Sequence, residues 1–383
     1  MTLGVFALGI GCKDSKPEAS AGSGTRPSAS AGNEIVIGHY GSLTGNTAHF
    51  GQDTDKAVRL AVDEQNAAGG VLGKQIRVVT LDDRGDSAEA ANAVTRLIDV
   101  EKVSALIGEV ASSLSLAGGR VAQRRKVPMI SPSSTNPKVT QVGDYIFRVC
   151  FLDPFQGKVM ADFSRDTLKF ERVAILKDVK NDYSIGLADA FKTAFTARGG
   201  QIPVEQSFSA GDTDFSAQVT AIKAANVQGI YVPGYYTEVG AIARTAQRLG
   251  LKVPLMGGDG WDSPDLFKIG GDALEGSFYS DHFAPDAATA KSKEFVQRFT
   301  AKYGAPPTGL GALGYDAAGV LFDAIKRAGK SDPASIRDAL ATTKNFEGVS
   351  GTITMNINRD ADKSAVIVAI EGGKGKYRAT VAP

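Results

Sequence analysis

Short apolar segments alternate with helical patterns from residue 35 to residue 258, and this alternation constrains the fold more than any other feature. Segments such as IVIGHY (35–40) and VSALIGEV (103–110) are typical of buried strands. Each is followed by a loop and then by residues with the apolar spacing of a helix. Strands that alternate with helices predict an α/β fold, in which parallel sheets are covered by helices on both faces.

The alternation occurs in two successive runs, each of about 120 residues, which suits two domains of ordinary size in a chain of 383 residues. We therefore predict two similar lobes rather than one wide sheet. The first run contains predicted strands at 35–40, 76–83, 103–110, 127–131 and 145–151, and the second at 172–178, 202–208, 229–235 and 253–258. Periodicity alone does not assign the later predicted elements to either lobe. These elements are helices at 290–303, 312–328 and 333–341 and strands at 352–358 and 365–371.

Charged side chains are nearly balanced, with 43 Lys and Arg residues against 42 Asp and Glu residues. A nucleic-acid-binding protein normally needs a basic face, so we expect no nucleic-acid partner. The two cysteines, Cys12 and Cys150, are too few for a disulfide framework.

The first residues have the character of an export signal. LGVFALGI (3–10) is apolar but too short to span a bilayer. Gly11-Cys12 resembles the lipobox of bacterial lipoproteins, which implies a signal peptide at 1–12 and a lipidated Cys12; the alternative is a plain secretory peptide cleaved farther along. Residues 13–33, rich in Ser, Gly, Ala and Pro, predict a flexible linker. We expect the protein in the periplasm or at the outer face of the cytoplasmic membrane.

Polar and aromatic residues follow the predicted strands, at the edge where open parallel sheets bind ligands. The first run contributes small hydroxyl groups, among them Ser112, Ser133 and Thr135. The second run contributes aromatic rings and a carboxylate: Tyr183, Tyr235, Asp259 and Trp261. Hydroxyls that open a helix favour an anion, because the free N–H groups and the helix dipole lie there, whereas aromatic rings and a carboxylate suit an ammonium group. We therefore predict that a zwitterion binds in a cleft between the lobes.

Each of these residues also has an ordinary structural interpretation. Ser112 can cap a helix, Thr135 can belong to a turn, and Asp259 can form an Asx turn. Tyrosines are more often core or surface residues than ligand contacts. The ligand interpretation depends on all of them lying at the same end of their strands.

Six stretches, taken in order, resemble the leucine/isoleucine/valine-binding protein family. Members of this family are type I periplasmic solute-binding proteins of ABC transporters. They are GSLTGNTAHFGQD (41–53), NAAGGVLGKQI (66–76), MISPSSTNPKVT (129–140), DYSIGLADAF (182–191), GYYTEVGAI (234–242) and GGDGWDSPDL (257–266). The resemblance covers nearly the whole chain from Ile35 onward. It implies two doubly wound parallel-sheet lobes joined by a three-crossover hinge that closes on the ligand. Lobe 1 would comprise 34–153 and 284–346, and lobe 2 would comprise 154–283 and 347–383.

The resemblance also implies roles for individual residues. Ser112 and Thr135 match positions that bind the ligand carboxylate, with the backbone of Ser133 beside them. Asp259 matches an acidic position that binds the α-ammonium group, although well-known members have Glu there. The remaining matches are pocket positions at Phe50, Tyr183, Tyr235 and Leu310. Trp261 is bulky and close to the pocket, so the side chain of the ligand need not be that of leucine.

The expected function is the capture of a branched-chain amino acid or a related zwitterion and its delivery to an ABC permease in the inner membrane. The alternatives are a ligand-sensing receptor subunit without transport, or a binder of an amide, urea or a small carboxylate. We expect the protein to act as a monomer, and the resemblance implies no cofactor.

Enzyme motifs are missing from the sequence: there is no G-x-S-x-G elbow, P-loop or H-E-x-x-H. The three histidines have no metal-ligand spacing and are expected near the surface or at strand ends, and Cys150 is expected to be buried in a strand. Residues 309–314 (GLGALG) satisfy G-x-G-x-x-G, but they follow a Pro-rich loop instead of a strand. We interpret them as small residues that open a closely packed helix.

Overall fold

Two largely parallel β-sheets with helices packed on them form the body of the protein. The computed structural model describes residues 1, 4, 33–287 and 289–383. The predicted lipidation site Cys12, with most of the predicted signal peptide and linker, lies outside the described residues. No helix among the described residues has the length and apolar character needed to cross a membrane.

The first sheet contains strands from the N-terminal part of the chain, each followed by a helix. Its strands are β1 (Glu34–Gly41), β2 (Gln75–Asp82), β3 (Ala105–Ile107), β4 (Met129–Ser131) and β5 (Ile146–Arg148). The helices between them are α1 (Ala48–Ala67), α2 (Ser87–Asp99), α3 (Ser112–Arg125) and α4 (Lys138–Gln141). All neighbours pair in parallel in the order β2-β1-β3-β4-β5, and the direction of winding reverses between β1 and β3. Such a reversal opens a crevice at the carboxyl ends of these strands.

The second sheet repeats this arrangement and adds two antiparallel strands. Its strands are β6 (Val173–Asp178), β7 (Glu205–Phe208), β8 (Gly229–Tyr231), β9 (Leu255–Gly257), β10 (Phe278–Asp281), β13 (Ala365–Ile370) and β14 (Gly375–Val381). Its helices are α5 (Asp153–Asp162), α6 (Asp182–Ala197), α7 (Ser216–Ala224), α8 (Tyr236–Arg248) and α9 (Pro264–Gly270). The order is β14-β13-β10-β9-β8-β6-β7, with β13 antiparallel to both of its neighbours.

Three further helices and a short hairpin complete the fold. They are α10 (Ala290–Tyr303), α11 (Gly309–Ala328), α12 (Pro333–Ala341), β11 (Phe346–Glu347) and β12 (Thr352–Ile353). Helix α11 packs along α1 and contacts β3 and β4, so it belongs with the first sheet. The chain therefore passes between the two sheets three times: after β5, after β10 and before β13. This topology confirms the predicted α/β class and its three crossovers.

The residues before β13 pack differently from the predicted lobe division. Ile353, Met355 and Ala361 are buried in the apolar cluster of the first sheet, whereas the family resemblance implied that residues 347–383 belong to lobe 2. Within residues 347–383, the segments that join the second sheet are β13 and β14.

Several elements differ from the sequence expectation. β10 was not predicted, because it is only four residues long and ends in the polar pair Ser280-Asp281. β14, an edge strand with alternating exposure, was also missed. The strand predicted at 352–358 is limited to Thr352–Ile353, which pairs with β11 outside both sheets.

Local signals in the sequence explain where several helices begin and end. The Asp86 side chain caps α2 by accepting from the backbone N–H groups of Ala88 and Glu89, at 2.8 and 3.0 Å. After α1 the chain turns at Gly69 and Gly70, whose φ angles of 98° and 77° lie in the region that favours glycine.

Candidate functional site

The last residue of β4 and the loop after it carry four hydroxyl side chains that have two different roles. The hydroxyls of Ser131 and Ser134 donate to the carbonyl of Glu109 at 2.7 and 2.9 Å, which ties this loop to the segment after β3. The Ser133 Oγ and Thr135 Oγ1 atoms are buried as well, but neither has a hydrogen-bond partner among the described residues. Because buried hydroxyls are normally paired, these two are the ones that a ligand can engage.

Ser112 is the first residue of α3 and lies beside the same loop. It does not cap this helix, since the N-cap position is Ala111 and no side chain caps the first turn. Its Oγ accepts from the backbone N–H of Asn136 at 3.2 Å, which leaves its hydroxyl proton free to donate. We call Ser112, Ser133 and Thr135 the hydroxyl end of the site.

A fully buried arginine holds this loop in place through hydrogen bonds. Arg148, the last residue of β5, forms an ion pair with Asp360 at 2.7 Å. Its guanidinium also donates to the carbonyl of Ser134 at 2.5 Å and to the hydroxyl of Thr140 at 3.0 Å. The loop is therefore fixed by groups that do not face the site.

Asp259 follows β9 and is held by two neutral side chains. One carboxylate oxygen accepts from Gln156 Nε2 at 3.0 Å, and the other lies 3.0 Å from Nε2 of His282. Burial lowers the pKa of His282, so the imidazole is neutral and can donate to Asp259. His282 also stacks on Phe151, with ring centroids 3.7 Å apart.

Asp153 and Gln156, on the first turns of α5, connect the two parts of the site. The Gln156 amide also donates to Asp153 Oδ1 at 3.1 Å, and the backbone N–H of Asp153 donates to the carbonyl of Thr135 at 3.0 Å. The other oxygen of Asp153 is buried without a partner among the described residues. Burial raises the pKa of Asp153 to about 7; the nearby Thr135 lowers it, and the charge of Asp259 raises it further. We call Asp153, Gln156, Asp259 and His282 the acid end.

Three of the four residues at the acid end were missed by sequence reasoning. Asp153 and Gln156 follow the predicted strand 145–151, so the rule that selected the other site residues applied to them too. His282 follows β10, which was not predicted. Because His282 was expected near the surface or at a strand end, its buried contact with Asp259 was not foreseen.

Aromatic rings from both sheets meet beside these two ends. Tyr183 and Tyr235 stack with centroids 5.4 Å apart, and Phe50 of α1 contacts Tyr235 edge-on, also at 5.4 Å. The Tyr183 hydroxyl accepts from the backbone N–H of Gly260 at 3.0 Å. The Tyr235 hydroxyl is buried without a hydrogen-bond partner among the described residues.

The last two residues predicted for the pocket have different surroundings. Leu310, the second residue of α11, is buried in the same apolar cluster as Phe50. Trp261 is fully buried in that cluster too, but its indole N–H donates to the carbonyl of Val232 at 3.0 Å and its ring lies against Gly257. The structure thus gives Trp261 a packing role within the second sheet.

Contacts between the two halves surround the site. The Asn136 amide donates to the carbonyl of Asp182 at 2.6 Å, and the hydroxyl of Thr237 donates to the carbonyl of Asn46 at 2.7 Å. On another side, the Gly309 N–H donates to Asp262 at 2.5 Å. A small molecule bound among these residues would contact both halves at once.

The remaining candidates for chemistry are structural. Cys150 is buried, as predicted, and burial raises the pKa of its thiol to about 12, so it is not a thiolate. His39 is buried within β1, not near the surface, and its Nδ1 lies 3.0 Å from the carbonyl of Ile107. Among the described residues no group of His, Cys, Asp and Glu is arranged to hold a metal ion.

Comparisons with known proteins agree with this architecture. Residues 34–374 match a model of the periplasmic binding protein family. A curated relative, the Leu/Ile/Val-binding protein homolog 3 of Brucella melitensis, is 32% identical over 331 residues, which are 85% of this chain and 88% of the relative.

Two solved structures have the same fold over most of their length. The leucine binding protein LivK of Thermotoga maritima is 43% identical with a TM-score of 0.88, covering 91% of this chain and 99% of that protein. The branched-chain amino acid transporter substrate binding protein LivJ of Streptococcus pneumoniae, in complex with isoleucine, is 35% identical with a TM-score of 0.87, covering 91% and 100%.

Proposed function

This chain belongs to the periplasmic binding protein family of solute-binding proteins, and from that premise we propose that it captures a branched-chain or related amino acid for an ABC permease. The names of its relatives support this ligand class, since they refer to leucine, isoleucine or valine, and the LivJ structure is a complex with isoleucine. The observation that carries the proposal is the pairing of a neutral hydroxyl end with an acid end in one buried site.

The hydroxyl end suits the carboxylate of an amino acid. Ser112 offers its hydroxyl group on the first turn of α3, a helix of 14 residues, and Ser133 and Thr135 offer theirs from the adjacent loop. Neutral donors and a helix N-terminus bind an anion without bringing a buried positive charge. Each hydrogen bond to a charged group contributes about 1.5–3 kcal/mol.

The acid end suits the α-ammonium group. Asp259 has both carboxylate oxygens in hydrogen bonds, and each oxygen retains a further lone pair for the ligand. The unpartnered oxygen of Asp153 offers a second acceptor, and binding a cation there would favour the ionised carboxylate. Tyr183 and Tyr235 add aromatic faces that attract a cation.

The apolar residues of the site would bind the side chain of the ligand. Phe50, Tyr235 and Leu310 present mainly carbon surface from both halves of the protein. Burial is worth about 0.8 kcal/mol per methylene group, so leucine or isoleucine should bind more tightly than alanine by about 2 kcal/mol.

Binding would close two lobes on the ligand, since its charged ends contact different halves. We propose lobe 1 as residues 34–153 and 284–346, and lobe 2 as residues 154–283 with β13 and β14. Ile353, Met355 and Ala361 pack with the first sheet, which supports a third crossover that follows them.

The remaining features of the proposal concern location and chemistry. The protein would be a monomer held at the outer face of the cytoplasmic membrane through a lipid on Cys12, and its partner would be the permease. It would bind its ligand without converting it, and the buried thiol of Cys150 is protonated and so offers no thiolate nucleophile.

A thermal-unfolding screen tests this function directly. Ligand that binds only the folded state stabilises it by RT ln(1 + [L]/Kd), about 2.7 kcal/mol at a hundred times Kd. We expect L-leucine and L-isoleucine to raise Tm, and acetamide, urea and benzoate to have no effect. A response to urea or benzoate alone would contradict the amino-acid proposal, and chemical change of L-leucine during incubation would contradict the absence of catalysis.

A further inference from the structure

The GLGALG segment at the start of α11 brings three carboxylates together. A Cβ atom on Gly309 would lie 2.6 Å from an oxygen of Asp281 and 3.1 Å from an oxygen of Asp262. A Cβ on Gly311 would collide with Asp53 in the same way. The glycines are therefore required for carboxylates to approach the first turn of this helix, and no dinucleotide is needed to explain the motif.

The three acids come from opposite halves of the molecule. Asp53 lies on α1 and accepts from the backbone N–H and the hydroxyl of Thr308, at 2.9 and 2.6 Å. Asp262 and Asp281 follow β9 and end β10 in the second sheet, and Asp262 accepts from the Gly309 N–H at 2.5 Å. Contact between these groups therefore depends on the relative position of the two halves.

No lysine or arginine among the described residues forms an ion pair with these carboxylates. Asp281 is buried and Asp262 is half-buried, and oxygens of both lie beside the same face of Gly309. Two acids this close cannot both be ionised without a penalty. When the halves separate, both carboxylates reach water and can ionise independently.

We propose that Asp53, Asp262, Asp281 and the first turn of α11 form a proton-coupled latch, in which closing the two halves requires the Asp262–Asp281 pair to take up a proton. The inference rests on the proposed function only in that a ligand closes the halves. Its consequence is that closure becomes easier as the pH falls.

The sign of this effect follows from the titration of the pair. Burial raises the pKa of Asp262 to about 7, and burial together with the charge of Asp262 raises the pKa of Asp281 well above its usual value. Exposed aspartates titrate near about 4. The closed form therefore binds more protons between about pH 4 and 7, and its advantage is lost as the pH rises through about 7, by up to tenfold per pH unit for one proton.

Other titratable groups border the latch and contribute their own pH dependence. The charged or ionisable neighbours are His49, Lys56, Asp259, His282 and Asp286. The tyrosines nearby are Tyr279, Tyr303 and Tyr377. Burial lowers the pKa of His49 and of His282, so these two groups act in the opposite direction below about pH 6.5. A comparison of variants that differ only at Asp262 cancels these common contributions.

The test compares the wild-type protein with Asp262→Asn, whose amide can accept from Gly309 and donate to Asp281 without a proton from solvent. Titration calorimetry with L-isoleucine in buffers of different ionisation enthalpy measures both affinity and proton uptake. Between pH 5 and 7 the wild-type affinity should fall relative to that of Asp262→Asn by up to about tenfold per unit, with proton uptake higher by about one. Asp265→Asn, at a partly exposed residue paired with Lys268, should behave as wild type.

Amide hydrogen exchange of the ligand-free protein provides a second arm that needs no ligand. After correction for intrinsic rates, protection of the Gly309 N–H should decrease between pH 6 and 8 in the wild type but not in Asp262→Asn. Equal pH dependence in both proteins, by calorimetry or by exchange, would overturn the latch. Failure of L-isoleucine to bind either protein would instead overturn the proposed function, and Asp281→Asn replaces Asp262→Asn if the latter does not fold.

Discussion

The hydroxyl end and the acid end of the site are supported in different ways. Ser133 and Thr135 lie on a loop fixed by Ser131, Ser134 and the buried Arg148, none of which depends on the ligand. At the acid end the side chains hold each other, with Gln156 bridging two acids and His282 bonded to one of them. The hydroxyl end is thus preorganised by side chains that bond to backbone carbonyls, and the acid end by a network of side chains that contains ionisable groups.

The largest difference is expected when the acid end loses its charge. Asp259→Ala should weaken the binding of L-isoleucine by about 2–5 kcal/mol, or about thirty-fold or more in Kd, because a buried ammonium group loses its counter-charge. Titration calorimetry measures this change. Asp265→Ala, at a partly exposed aspartate on α9, serves as the control, and an unchanged Kd for Asp259→Ala would remove the acid end from the site.

A pair of substitutions at neighbouring residues separates the hydroxyl end from the side chains that hold its loop in place. Thr135→Val replaces the hydroxyl with a methyl group of similar size and should weaken binding by about 1.5–3 kcal/mol, with little change in the Tm of the ligand-free protein. Ser134→Ala breaks bonds to the Glu109 and Val110 carbonyls and should lower the free energy of unfolding by about 1–3 kcal/mol. Calorimetric titration and thermal unfolding of both variants check this. The reverse pattern would show that Ser134 contacts the ligand and that Thr135 is structural.

The smallest effect is expected at the ring that contacts both halves. Phe50→Leu loses the edge-on contacts with Tyr235 and Tyr236, which are worth about 0.5–1.5 kcal/mol beyond buried area. The Kd for L-isoleucine should increase a few-fold, measured against Phe295→Leu on α10 as the control. An equal loss for both variants would mean that Phe50 acts through general stability.

The sequence predicted the fold and most of the hydroxyl end because strand–helix alternation determines which loops meet at one edge. Ser112 and Thr135 follow strands of the first run, so their proximity is a consequence of topology. The distinction between Ser133 and Ser134 was beyond sequence reasoning, because side chains in an irregular loop have no fixed period. The contact between His282 and Asp259 depends on β10, whose four residues are too short for a periodic signal.

Arg148 and its neighbours have a consequence for dissecting this protein. Asp360 pairs with Arg148, and Arg359 donates to the carbonyls of Ile146 and Thr140, more than 200 residues earlier in the chain. A fragment that stops before residue 359 would keep every residue proposed to contact the ligand. It would lose the ion pair of Arg148 and the hydrogen bonds of Arg359, which hold the loop after β4 in place. Anyone who divides the chain to build a fluorescent reporter should therefore leave residues 356–362 joined to the N-terminal half.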